Sequence, residues 1–168
     1  MSATATNPSH GLDAQQIRAT IVTILTAGAF ATLAFDFFGQ SLSPWLGFSR
    51  LAPVPLANGV IATIFGEGFT PAAHAMHYFV GLIGYSVGWV LIAEPLRARF
   101  APQVPWVAAA VVYGVALWVW ALYVMAHLVV GNPAFLGFSQ ITWVALVGHV
   151  IYAVVVAWVT ELRRSQQG

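Results

Sequence analysis

Four long apolar stretches constrain this chain more than any other feature of its sequence. They cover residues 17–38, 72–93, 105–130 and 141–160. Each is close to the roughly 20 apolar residues that an α-helix needs to cross the hydrocarbon core of a bilayer. The sequence therefore predicts an all-α integral membrane protein with four transmembrane helices.

The composition supports lipid as the main solvent of this protein. Only 7% of the 168 residues are charged and 60% are hydrophobic, whereas soluble domains carry about 25% charged residues. The net charge of +1 and the lack of a basic patch exclude a nucleic-acid partner. Because the chain contains no cysteine, disulfides and thiolate metal sites are excluded as well.

The segment between the first two predicted spans contains a shorter apolar run. Its core, residues 56–65, is interrupted by Asn58 and Gly59 and preceded by Pro53 and Pro55. A run of this length is too short to cross a bilayer. We predict a re-entrant or interfacial helix within residues 51–66. The alternative, a fifth span, would place the two termini on opposite sides of the membrane.

The arginines orient the four predicted spans. Five of them fall on one side, namely Arg18, Arg97, Arg99, Arg163 and Arg164, while Arg50 alone falls on the other. The positive-inside rule makes the five-arginine side cytoplasmic. This predicts cytoplasmic tails at residues 1–16 and 165–168 around a single domain of residues 17–164. The absence of lysine, with many Ala, Gly and Pro residues, is typical of GC-rich bacteria and indicates a bacterial inner membrane.

Six ionisable residues are predicted to lie in the membrane leaflet opposite the five arginines. An aspartate near the centre of a bilayer costs about 2.5 kcal/mol or more, so each such residue needs a reason to be there. An even number of spans brings these six to a similar depth although they are distant in sequence. They are Asp36, Glu67, His74, His77, His127 and His149.

These residues suggest a metal or haem site. Neutral imidazoles bind Fe, Cu and Zn, and a carboxylate completes the shell or orients a histidine. All six residues are candidate ligands of a transition metal. Haem b needs only two histidines that face each other, and we expect these among His77, His127 and His149. The opposing interpretation is that each side chain contacts headgroup water or bonds to a tyrosine or a backbone group.

Two other functions compete with a cofactor site. The chain is alternatively a non-catalytic subunit or assembly factor of a larger membrane complex, or else a small transporter or proton-coupled carrier. As partners, besides lipid, we expect further copies of the chain or a larger membrane complex. No nucleotide-binding glycine loop, Gly-x-Ser-x-Gly or His-Glu-x-x-His motif is present, so an enzyme is not favoured. At the cytoplasmic end, Glu94–Arg97 and Glu161–Arg164 are expected to form interfacial ion pairs of small energetic value.

Overall fold

The structure is a computed structural model that describes residues 14–166. Four of its helices are long and apolar enough to cross a membrane, and a fifth, between the first two, is too short. In chain order they are α1 Ala14–Trp45, α2 Pro53–Phe65, α3 Thr70–Phe100, α4 Trp106–Val129 and α5 Gln140–Ser165. The prediction of an all-α membrane protein with four spans and one additional short helix is confirmed.

The helices extend further than the apolar runs predict. Helix α1 begins within the predicted N-terminal tail and continues past Asp36, because residues 38–42 form a wider, π-helical turn that keeps the chain helical. Helix α5 reaches Ser165. The rest of the predicted tails, residues 1–13 and 167–168, lies outside the described residues.

Small residues bring the spans close together. Ala27 and Ala31 of α1, Ala110 of α4 and Ala157 of α5 have no exposed surface and share one core cluster with Trp89. In lipid, helices associate through such close packing because the hydrophobic effect contributes little between them. The interior of the bundle is therefore set by the shape of its small residues.

Helix α3 contains two π-helical stretches, Val80–Gly84 and Gly88–Ala93. Widened turns of this kind change the i→i−4 pattern of the backbone and make carbonyl groups available to other donors. The Tyr152 hydroxyl of α5 donates to the Gly81 carbonyl at 2.6 Å, and the Tyr113 hydroxyl of α4 donates to the Tyr85 carbonyl at 2.6 Å. Both neighbouring spans are thus hydrogen-bonded to α3 in the bundle interior.

The short helix α2 packs against the end of the bundle at which α1 ends and α3 begins, as a re-entrant or interfacial helix would. Just before it, the Leu51 amide donates to the Gly39 carbonyl at 2.8 Å, and the Leu51 side chain reaches Gly148, two turns into α5. Further along α2, Gly59 lies against Val130, just beyond the end of α4. The chain therefore dips into the bundle before α2, and the helix leads back towards the face from which the chain came.

The opposite end of the bundle is held by a buried carboxylate. Glu94 of α3 has no exposed surface and accepts hydrogen bonds from Arg97 at 2.7 Å and from Arg164 of α5 at 2.6 Å. Arg164 also contacts Glu161 at 3.1 Å. The two pairs expected from the sequence are present, but they are joined into one network that connects α3 to α5. Glu94 is buried, which the sequence did not predict, and Arg164 of α5 binds it in addition to Arg97.

Candidate functional site

A partly open cavity of about 480 Å³ lies between the helices and is lined by residues from all five of them. We call it the histidine cavity, because His77 and His149 both line it, along with Tyr85 and Asn132. Its other walls are apolar and include Leu51, Leu56 and Val60 around and within the re-entrant helix and Phe35, Trp120 and Met125 from the spans. Ligand pockets of proteins commonly have 300–1,000 Å³ and mostly apolar walls with a few polar groups.

One polar group at the histidine cavity is a pair formed by α1 and α3. His77 Nε2 lies 3.0 Å from Asp36 Oδ1 and 3.2 Å from Oδ2, and the Gln40 side chain donates to Asp36 Oδ1 at 2.8 Å. A carboxylate only accepts, so the Nε2 of His77 carries the proton in this contact. The pair is mostly buried, with 12% and 18% of the His77 and Asp36 side chains exposed. The Nδ1 of His77 has no hydrogen bond within residues 14–166.

The second polar group is His149, which is 5% exposed and lies two and a half turns into α5. Its Nδ1 lies 2.7 Å from the Ala145 carbonyl oxygen. Because a carbonyl oxygen only accepts, Nδ1 is the protonated nitrogen and Nε2 holds a free lone pair. No hydrogen bond to Nε2 is made by any residue of the described chain.

Aromatic rings surround the two histidines. The Phe35 ring centroid lies 5.2 Å from that of His149, edge to face, and 6.4 Å from that of His77. Tyr85 lies 6.3 Å from His149 and 5.7 Å from Tyr152, again measured between ring centroids. Such edge-to-face contacts fix ring orientation. The imidazole of His149 is therefore held by packing as well as by its hydrogen bond.

The remaining predicted site residues lie elsewhere. His74 and Glu67 are exposed on the surface of the structure. His127 is not among the residues that line the histidine cavity, and its Nδ1 contacts the Asn132 carbonyl at 2.7 Å, where it closes the end of α4. Of the six predicted residues, the fold brings Asp36 and His77 into contact and places His149 at the same cavity. Within residues 14–166, no group of three or more His, Cys, Asp or Glu side chains is arranged to hold a metal ion.

A left-handed turn, residues 134–138, precedes α5 beside the histidine cavity. Phe135, Leu136 and Phe138 have φ values of 49°, 55° and 54°, a region that costs non-glycine residues about 1–2 kcal/mol each. The Thr142 hydroxyl donates to the Phe135 carbonyl at 2.5 Å and holds the turn in place. Leu136 lines the cavity. Strained backbone of this kind is typical of functional sites, because the surrounding structure must impose it.

Sequence reasoning missed several residues of the cavity. Tyr85, Phe35 and Leu136 contact it, yet their types and spacing resemble ordinary membrane-helix packing. The one usable signal was the sequence of the re-entrant segment, whose length and prolines indicated a non-spanning element. That segment supplies one wall of the cavity.

Comparison with known proteins adds no family to these observations. No protein-family model matches the chain, and neither a curated protein nor a solved structure matches it significantly. The chain is an all-helical protein with four helices suited to crossing a membrane, and its function must be argued from the site alone.

Proposed function

We propose that this protein binds a small, lipid-soluble molecule in the histidine cavity, with His149 and the Asp36–His77 pair as the polar groups that orient it. The observation that carries the proposal is the missing hydrogen-bond partner of His149 Nε2. The imidazole of His149 is 5% exposed and lines the histidine cavity, and its Nε2 lacks a hydrogen-bond partner within the described chain. A ligand in the cavity that hydrogen-bonds to this nitrogen would gain about 0.5–1.5 kcal/mol from the contact.

The walls of the cavity support a mostly apolar ligand. Apart from the two histidines, Tyr85 and Asn132, the lining side chains carry no donor or acceptor other than the indole of Trp120. Trp120 is 49% exposed, so the cavity wall continues onto the surface that faces lipid in a spanning bundle. We propose that a molecule dissolved in the membrane enters the cavity beside Trp120.

The experiment is to identify what the protein carries after purification. The full chain is purified in a mild detergent, and its bound small molecules are extracted and identified by mass spectrometry. We expect one stoichiometric species that is depleted in His149→Phe and retained in the matched variant His74→Phe, because His74 is exposed. Recovery of no stoichiometric molecule from folded wild-type protein would overturn the proposal.

Haem b or a transition metal is a second candidate for the occupant. Each cavity histidine has one nitrogen fixed by an acceptor, the Asp36 carboxylate for His77 and the Ala145 carbonyl for His149. Acceptors placed in this way orient the histidine ligands of metal sites. Since the described residues contain no cluster of three metal-binding side chains, two-histidine haem b suits them better than a bare metal ion.

An absorption spectrum and metal analysis of the purified protein test this second candidate. A Soret band that is lost in His77→Ala and in His149→Ala, and kept in His127→Ala, would establish haem at this site. A featureless spectrum and no stoichiometric metal would exclude both haem b and a metal ion.

We also propose a bacterial inner membrane as the location, with both termini in the cytoplasm and with further copies or a larger complex as partners. Arg97, Arg163 and Arg164 lie at one end of the bundle, where Arg164 contacts Glu94 and Arg163 donates to Thr23 at 3.0 Å. The positive-inside rule favours the cytoplasm for that end. The partners are supported only by the exposed aromatic side chains of the spans, including Trp143 and Trp158.

A further inference from the structure

We infer that the natural ligand of the histidine cavity is a phenol or hydroquinone whose hydroxyl donates a hydrogen bond to Nε2 of His149. The inference rests on the proposed function and narrows it to a chemical class. It concerns binding alone and requires no reaction.

The Nε2 atom of His149 accepts hydrogen bonds and does not donate them. The Ala145 carbonyl fixes the proton of the neutral imidazole on Nδ1, so Nε2 of His149 is an acceptor and not a donor. Among organic ligands, only one with an O–H or N–H group can donate a hydrogen bond to it. Ligands whose only polar atoms are carbonyl or ether oxygens would leave the nitrogen unpaired and would lose their own hydrogen bonds to water.

Aromatic rings form much of the cavity wall around His149. The rings of Phe35, Tyr85 and Trp120 line the cavity, and the first two pack against the imidazole of His149. Aromatic walls favour flat, apolar rings through offset or edge-to-face contacts. A hydroxyl carried on an aromatic ring fits these walls better than one on a sugar or a charged headgroup. The cavity volume of about 480 Å³ also accommodates a single substituted ring with part of an alkyl tail.

Two further polar atoms near His149, the Tyr85 hydroxyl and the Nδ1 of His77, can contact the same ligand. The Tyr85 hydroxyl makes no hydrogen bond within residues 14–166, and its ring is 6.3 Å from that of His149. His77, which is paired with Asp36, lines the same cavity, and its Nδ1 has no partner among these residues. A hydroquinone has two hydroxyl groups on opposite sides of its ring, so it can bond to more than one of these atoms at once.

A redox pair of probes provides a direct test. Decylhydroquinone and decylbenzoquinone have the same ring and tail and differ in whether their oxygens carry hydrogen. Their affinities for the full chain in lipid nanodiscs are measured without oxygen by quenching of tryptophan fluorescence, because Trp120 lines the cavity. We expect the hydroquinone to bind about tenfold or more tightly than the quinone, since a site built to pair with a hydroxyl rejects an analogue that lacks the donor.

Two variants test whether the preference for the hydroquinone depends on His149. His149→Phe keeps a ring against Phe35 and removes the acceptor, and we expect it to bind both probes equally. His74→Phe makes the same change at an exposed position and is expected to keep the wild-type preference.

Equal affinity of wild-type protein for the two probes would overturn the inference even if His149→Phe did not fold. Failure of the hydroquinone to bind would also overturn it. Neither of these two results contradicts the proposed function. The proposed function fails only if the purified protein carries no small molecule.

Discussion

Replacing Gly114 by alanine tests the packing that places His149. A Cβ atom at position 114 of α4 would lie 2.7 Å from the Val150 Cα, 2.8 Å from the His149 carbonyl oxygen and 3.0 Å from the Val150 nitrogen. All three are backbone atoms of α5, so no side-chain rotation relieves the overlap. Carbon atoms in contact normally lie about 3.5–4.0 Å apart, and the two helices must therefore separate by about 1 Å.

The energetic cost follows from two opposing terms. Overpacking of a tight interior costs about 1–3 kcal/mol, and more when backbone must move. Alanine gains about 1 kcal/mol over glycine in a helix, which offsets part of the loss. We expect Gly114→Ala to lower the melting temperature in detergent, measured by intrinsic tryptophan fluorescence, and to weaken ligand binding because α5 carries His149.

Gly84→Ala is the matched control. Its Cβ would meet only the Val80 Cγ1, at an ordinary 3.9 Å. This variant keeps the helix-propensity gain without the overlap, so its stability should equal or exceed that of the wild type. If Gly114→Ala proved as stable as Gly84→Ala, the close approach of the α5 backbone to Gly114 would be incorrect.

Three further predictions concern other parts of the bundle. Glu94→Gln should lower the free energy of unfolding by about 1–3 kcal/mol in thermal unfolding, because two arginine contacts lose their charged acceptor. Glu161→Gln changes a partly exposed pair and should cost about 0–1 kcal/mol. Equal effects of the two variants would refute the buried network. Thr142→Val should cost about 1 kcal/mol through loss of the hydrogen bond to Phe135, with Thr63→Val, whose hydrogen bond is exposed, as an unaffected control. Reporter fusions at the two termini should respond from the same compartment, and opposite compartments would rule out four spans.

The sequence predicted the fold well because length and apolarity decide it. In lipid, the backbone N–H and C=O groups must form hydrogen bonds within the protein, and a helix achieves this by itself. Four runs of about 20 apolar residues therefore predict four spanning helices. A short helix that does not span was also predictable, since ten interrupted apolar residues cannot cross a bilayer. The exact ends were not, because the helical continuation from Phe38 to Trp45 depends on π-helical turns that leave no compositional signal.

The site was predicted in part. The sequence predicted that Asp36, His77 and His149 lie at a similar depth, and the contact of Asp36 with His77 across α1 and α3 was found only in the structure. Rotation of each helix about its own axis was not predictable, and it turns His127 towards the end of α4. The burial of Glu94 was missed for a similar reason, since charge spacing along α3 reveals nothing of the cover that α5 provides.

The re-entrant helix has a consequence for how such a protein can diversify. It lines the histidine cavity without spanning the membrane, and it contributes nothing to the core cluster around Trp89. Substitutions at Leu56 or Val60 can therefore reshape the pocket while the scaffold of four spans stays intact. Related proteins that share this scaffold would be expected to differ in ligand preference mainly through these thirteen residues.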